Sequence, residues 1–310
     1  DGAWMHFPSV SLFSSTANAD LSRLFKKLGC ESSTNAYSIT GGTPLVDSLF
    51  SVKYGLYSEQ PDPSELRTVK AEDDGVWLCE NTYTLPLGFW VESDFEEQWN
   101  LDAGKPADVQ NNLTSALNTE PVLVMVLDTV SDGKKVTFTP ETGGEYYAYT
   151  GGKSVKKVKA TTWKGTETFD NTDRGYLVEL GYCEAGEEVV LEAEEGSDFW
   201  ADVYRFSENG LKAVYEKLSA HPWVLSSWTD TSLEGSISCG ESGLMMTTIP
   251  YDEGWRITVD GVEQPPEKML DAFIGVRLTP GSHTISMQYN PKGLKPGWMI
   301  SLGSLAVLCL

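Results

Sequence analysis

Beyond about residue 120 the apolar residues recur at every second position, and this narrows more than any other feature what the chain can become. Successive side chains of a strand point to opposite faces. Runs such as 122–127, 135–139, 145–149, 175–180, 187–193 and 200–206 therefore each read as a strand with one face toward a core. One stretch breaks the pattern: across 209–218, Leu211, Val214, Tyr215 and Leu218 fall on a common helical face. Strand patterns resume at 223–228, 235–239, 244–249, 255–259, 273–278 and 282–289. Asp260 and Gly261 between Val259 and Val262 form a two-residue hairpin signal, and Glu184-Ala185-Gly186 and Pro280-Gly281 mark further turns. Such spacing predicts a mainly antiparallel β-sandwich, jelly-roll-like, with one inserted helix.

The first 120 residues are mixed α/β in character. Leu21, Leu24, Phe25 and Leu28 share a face of a helix that Asn18 or Asp20 can cap and Gly29 can end. Pro44 suits the start of a short helix carrying Leu45, Leu49 and Phe50, and 106–118 reads as another helix through Val109, Leu113 and Leu117. Short apolar runs at 52–57 and 76–79 are separated by polar turns. In 85–91, Pro86 and Gly88 argue against a regular central strand. The pattern divides the chain into a mixed region 1–120, a sandwich 121–292 and a terminal segment 293–310. That segment contains thirteen uncharged residues from Trp298, about 20 Å of helix against a hydrocarbon core of about 30 Å. Lys292 and Lys295 precede it, and Trp298 stands where an interfacial aromatic would. It reads either as a truncated transmembrane helix or as a buried terminal element. At the other end, Asp1-Gly2 reads as a cut with no leader before it.

Charge and motif content exclude several functions. The formal charge of −22 repels phosphate backbones, so nucleic acid is not an expected partner. Cys30, Cys79, Cys183, Cys239 and Cys309 form no close pair, which argues for buried free thiols, with one long-range bridge the alternative. His6, His221 and His283 lie on separate elements, and His283 reads as a structural histidine. Nucleophile-elbow, zincin, P-loop and dinucleotide patterns are absent. The acids at 72–74 and Glu92, Asp94, Glu96 and Glu97 read as solvated faces, with calcium at an acidic turn the alternative. Among ten tryptophans, Trp200, Trp223, Trp228 and Trp255 are candidates for carbohydrate binding, because a sugar's apolar face packs on an aromatic ring; filling a core is their alternative use.

One segment is distinctive: Pro250-Tyr251-Asp252-Glu253-Gly254-Trp255-Arg256-Ile257-Thr258-Val259-Asp260-Gly261. It continues through 271–276, the turn at 280–283 and Tyr289-Asn290-Pro291-Lys292-Gly293-Leu294-Lys295-Pro296-Gly297. Upstream, 13–16, 43–54 and 85–89 agree as well. These stretches resemble the bacterial YfhO membrane-protein family, in order along nearly the whole chain. The resemblance implies a multi-pass parent of the GT-C glycosyltransferase type that glycosylates envelope polymers such as lipoteichoic acid. This region would be extracytoplasmic, followed by the opening of the last transmembrane helix. Its implied partners are the membrane portion of the parent and an envelope glycopolymer. The implied sugar donor is lipid-linked and belongs to the parent, and whether a divalent cation is needed is open. No catalytic, cofactor or metal residue of this chain follows from the likeness. A carbohydrate-binding module and a purely structural or interaction domain are the alternative functions.

Overall fold

A computed structural model describes residues 9–62 and 64–308. Asp1, Gly2, His6 and Cys309 lie outside the described residues. Contacts group the chain into two compact units, Asp1–Leu85 with Asp94–Lys217, and Pro86–Ser93 with Leu218–Leu310. These are units of contact, whereas the divisions at 120 and 292 follow pattern along the chain.

In the first unit, Asn18 caps the helix Ala19–Lys27 by accepting from the backbone N–H groups of Asp20 and Leu21, and Leu21, Leu24 and Phe25 are buried as the periodicity predicts. The helices Pro44–Leu49 and Pro106–Ala116 both place proline in the first turn, where its missing N–H costs nothing. Buried Gln110 accepts from Thr43 Oγ1 at 2.6 Å and donates to Leu28 O at 2.7 Å, linking three helical segments. A small antiparallel sheet runs Tyr54–Tyr57, Val76–Asn81, Arg67–Asp73.

The alternating sequence then builds two antiparallel sheets. One has five strands in the order Gly165–Asp170, Lys157–Thr162, Val189–Ala193, Lys135–Phe138, Thr129–Ser131. The other has four, Leu177–Cys183, Gly144–Lys153, Ser197–Phe206, Leu123–Met125. Val136, Phe138, Val158 and Leu191 of the first share one hydrophobic cluster with Tyr146, Ala148, Val178 and Val203 of the second.

The second unit also contains a five-stranded and a four-stranded sheet, both antiparallel. Their orders are Val224–Thr229, Ser232–Cys239, Gly281–Tyr289, Trp255–Val259, Val262–Gln264, and Glu267–Met269, Phe273–Leu278, Gly243–Pro250, Gly88–Val91. Ile237, Met245, Ile257, Ile274, Ile285 and Met287 lie at its core. Gly88–Val91 is the last regular strand of its sheet, with an isolated bridge from Phe89 to Pro222 on its outer side, which suits a segment preceded by Pro86.

The Asp260-Gly261 turn has positive φ at both residues, 53° and 80°, as a tight hairpin requires. Asp260 also accepts from Thr284 N and pairs with His283 Nδ1, both at 2.8 Å, while His283 Nε2 faces Thr279 O at 2.8 Å. Both ring nitrogens thus face acceptors, and the Asp260 contact raises the pKa of His283. A Cβ on Gly261 would meet nothing within 4 Å. Gly261→Val is therefore expected to cost about 1–2 kcal/mol through backbone strain alone, read by thermal unfolding.

The terminal segment corrects one expectation. Leu294–Leu308 is a helix of 15 residues, about 22 Å long. Among the described residues no helix is long and apolar enough to cross a membrane. This overturns the expected transmembrane helix at 293–310 as far as it is described: Leu294–Leu308 is not long and apolar enough to cross a membrane. The 15 described residues fall short of the roughly 20 a span needs, and the helix begins with Leu294-Lys295-Pro296-Gly297, which includes a charge, a proline and a glycine. Nor is it the buried element of the alternative reading, since Trp298, Met299, Ile300 and Leu302 are exposed.

Candidate functional site

One face of the four-stranded sheet in the first unit packs into the hydrophobic cluster. Alternation sends Glu145, Tyr147, Tyr149 and Gly151 to the other face of Gly144–Lys153. Register places Glu179 opposite Tyr147 on one side, and Tyr204 and Asp202 opposite Tyr147 and Tyr149 on the other. Carboxylates and aromatic rings thus share this second face.

Its charge is organised by Arg67, the first residue of Arg67–Asp73. Arg67 Nη1 pairs with Glu145 Oε1, and the two side chains are only 13% and 9% exposed. The guanidinium lies 5.2 Å from the centre of the Tyr57 ring, a cation–π distance. Tyr147 donates its hydroxyl hydrogen to Glu145 Oε2 at 3.3 Å. Arg67 Nε is buried without a hydrogen-bond partner.

Two further carboxylates feel this pair. Burial pushes Asp47, on Pro44–Leu49, up to about 7; Arg67 opposes the rise and Glu145 adds to it. Burial, reinforced by Glu145 and opposed by Arg67, pushes Glu179 to about 7 as well. Glu179 still presents surface to solvent, so water screens it more than it screens half-buried Asp47. Tyr57 is pushed up to about 12, mainly by burial. Arg67 thus pairs with one carboxylate and acts electrostatically on two more, whose protonation is shifted toward neutral pH.

The tryptophans named from sequence are dispersed. Trp200 is 41% exposed on the acid-bearing face, with Tyr149 at 5.7 Å between ring centres and the Lys105 ammonium 5.7 Å from its ring. Lys105 also pairs with Asp202, and a Cβ on Gly151 would stand 2.5 Å from the indole, so the ring lies close over that glycine. Trp223 is 2% exposed in the core of the second unit, and its indole N–H has no partner. Trp228 is exposed on Val224–Thr229, and Trp255 packs on Tyr289 at 5.1 Å. Trp228 and Trp255 stand on strands separated by two others, and Trp200 belongs to the other unit.

The acids at 72–74 and at Glu92, Asp94, Glu96 and Glu97 are exposed. Among the described residues no group of three or more His, Cys, Asp or Glu is placed to hold a metal ion. Cys30, Cys79, Cys183 and Cys239 are buried free thiols, and burial pushes Cys183 up to about 12, where it is not a thiolate nucleophile. The charge cluster escaped the sequence reading. Its available signal was a glutamate inside each of two otherwise apolar strands, at 145 and 179.

Fold and site define a β-rich protein with an acid-lined sheet face and a mixed α/β N-terminal portion. The model of a family described as bacterial membrane protein YfhO matches residues 1–134 and 131–301, and the chain belongs to that family. It is 35% identical over 78 residues to the YfhO protein of Bacillus subtilis strain 168. That match covers 25% of this chain and 9% of that relative, so the chain spans under a tenth of its length in the match. Among solved structures, a cupin barrel protein from Leptotrichia buccalis is 10% identical, over 55% of this chain and 88% of that one, with a TM-score of 0.15. A vicilin from Solanum lycopersicum is 9% identical, over 51% and 70%, with a TM-score of 0.13. Scores this low carry no argument about the fold. Family membership supports a general role associated with the cell envelope.

Proposed function

We propose that this chain is an accessory extracytoplasmic region of a glycosyltransferase-like membrane protein and helps position an envelope polymer such as lipoteichoic acid during glycosylation. The observation that carries this reading is the family match over nearly the whole chain. The membrane portion of the parent is then its partner and supplies both the catalytic groups and the site for a lipid-linked sugar donor. A net charge of −22 sets a condition on the role. A phosphate-rich polymer is repelled at long range, so this region engages sugar substituents or relies on divalent cations to bridge. The jelly-roll-like sandwich belongs to the same proposal, supported by a five- and a four-stranded sheet around one hydrophobic cluster.

A second reading, a carbohydrate-binding module, is favoured by Trp200. Its half-exposed ring stands beside the Tyr149 ring and the hydrogen-bonding Lys105–Asp202 pair, the combination that sugar recognition uses. Calorimetry of the chain with purified envelope polymer, with and without magnesium, tests both readings. Binding lost in Trp200→Ala supports the module; binding that survives this change but needs magnesium supports polymer positioning. No binding under either condition contradicts both.

A further inference from the structure

The two sets of sheets follow one plan. Numbering the strands of each five-stranded sheet by chain order, both read 4-3-5-2-1 across the sheet. Between strands two and three, each set sends one strand to its four-stranded sheet, Gly144–Lys153 in the first and Gly243–Pro250 in the second. Between strands four and five, each returns a strand that pairs antiparallel with it, Leu177–Cys183 and Phe273–Leu278. An 11-residue helix precedes each set, Pro106–Ala116 and Glu208–Leu218.

The sequence carries an echo of the same plan. Leu113, Leu117 and Pro121 recur 101 residues later as Val214, Leu218 and Pro222. Glu141, Thr142 and Gly143, before the strand Gly144–Lys153, recur 100 residues later as Glu241, Ser242 and Gly243, leading into Gly243–Pro250.

The sets differ at two places: in the second, Glu267–Met269 adds a strand beside Phe273–Leu278 that the first set lacks, and the neighbour on the other side of the shared strand differs in origin. In the first, the strand after the fifth, Ser197–Phe206, lies between Gly144–Lys153 and Leu123–Met125. In the second, the fifth strand is followed by the helix Leu294–Leu308, and Gly88–Val91 occupies the corresponding place. It pairs antiparallel with Gly243–Pro250, with Leu244 opposite Val91 and Met246 opposite Phe89. On its other side Phe89 bridges to Pro222, Trp90 N donates to His221 O at 3.0 Å, and Trp223 N donates to Gly88 O at 2.7 Å. Residues 221–223 thus take the place beside Gly88–Val91 that Leu123–Met125 takes beside Ser197–Phe206, shifted by a few residues from the sequence echo. Phe89 and Val91 are 0% and 3% exposed.

We propose that residues 106–289 hold two copies of one module, and that the second is completed by the upstream strand Gly88–Val91, which makes the slot between Gly243–Pro250 and 221–223 a strand-accepting site. Its ligand class is a short extended peptide with buried apolar side chains at alternate positions, and its occupant is this chain's own segment. Backbone bonds on both sides supply affinity, and the pockets around Phe89 and Val91 supply specificity. Gly243 admits the strand closely: a Cβ there would lie 2.4 Å from Val91 O and 2.4 Å from Trp90 Nε1.

The test uses the full chain with protease sites engineered on either side of residues 84–93. After cleavage, a labelled peptide of that sequence is expected to enter the cut protein, a scrambled peptide is not, and the uncut chain takes up neither. Equal uptake of the scrambled peptide, or loss of the native segment without loss of amide protection in Gly243–Pro250, overturns the proposal. Should the cut protein unfold, hydrogen exchange of the uncut Gly243→Ala chain decides. Protection of Gly88–Val91 and Gly243–Pro250 is expected to fall about tenfold or more while Ser197–Phe206 is unchanged. Gly240→Ala, whose Cβ meets nothing within 4 Å, serves as the control. Protection in Gly243→Ala equal to that of the control contradicts the slot.

Discussion

Replacing Arg67 by methionine is expected to destabilise the protein by about 3–5 kcal/mol at pH 8, and by visibly less at pH 5.5. The size follows from burial. Arg67 and Glu145 are 13% and 9% exposed, so losing the guanidinium leaves a desolvated carboxylate that still accepts from the Tyr147 hydroxyl. The pH dependence follows from the neighbouring acids. Asp47 already sits near 7, raised chiefly by burial and held down by Arg67, whereas exposed Glu179 is screened by solvent and contributes less. A carboxylate raised in the folded state contributes stability that is full below its unfolded value, about 4, and is lost as pH rises through about 7. The folded protein thus binds more protons than the unfolded chain across that window, and stability falls toward alkaline pH. Without Arg67 the acids rise further, and the deficit of the variant grows with pH. Asp47→Asn is expected to flatten the wild-type slope between pH 5 and 8, and to stabilise the protein at pH 8 by about 2 kcal/mol after allowance for solvent screening. Urea unfolding at several pH values measures both. A deficit for the Arg67 variant that shrinks as pH rises contradicts the account of the cluster.

Truncating Trp223 to alanine is expected to cost about 3–5 kcal/mol, among the largest losses available to a single substitution here. The side chain is 2% exposed and packs in the cluster with Met245, Ile257 and Ile285. Its effect on any sugar affinity would then arrive through the fold. Trp228→Ala, on an exposed ring, is expected to change stability by no more than about 0.5 kcal/mol. Comparing the two by thermal melts separates a core tryptophan from a surface one. Equal losses contradict the placement of Trp223 in the core.

What the sequence disclosed follows from where its signals are local. Helix caps, Pro44 at a helix start, the Asp260-Gly261 turn and most alternating strands are encoded within a few residues, and they form where expected. The strands Lys157–Thr162 and Gly165–Asp170 went unseen because the first buries only Val158 and Ala160, and the second, at a sheet end, is largely exposed and rich in threonine and charge. Arg67–Asp73 was hidden for the same reason, its acids reading as a solvated turn. The Arg67–Glu145 pair joins residues 78 apart, and no local pattern announces such a meeting. The repeat of the two modules left only a handful of matching residues, too few to separate from chance without the strand orders. The terminal apolar run shows the converse: its pattern is plain along the chain, yet no helix among the described residues is long and apolar enough to cross a membrane.

The most direct measurement concerns the accessory role itself. Full-length parent protein, with and without the region corresponding to this chain, would be placed in membranes with a lipid-linked sugar donor, and transfer of labelled sugar to the envelope polymer followed. The account predicts that the deletion sharply reduces transfer to polymer while the membrane portion still consumes donor, releasing sugar to water or to small acceptors. Transfer to polymer that is unchanged in the deletion would contradict the positioning role. Donor consumption abolished with the membrane portion folded would contradict the claim that catalysis lies outside this chain.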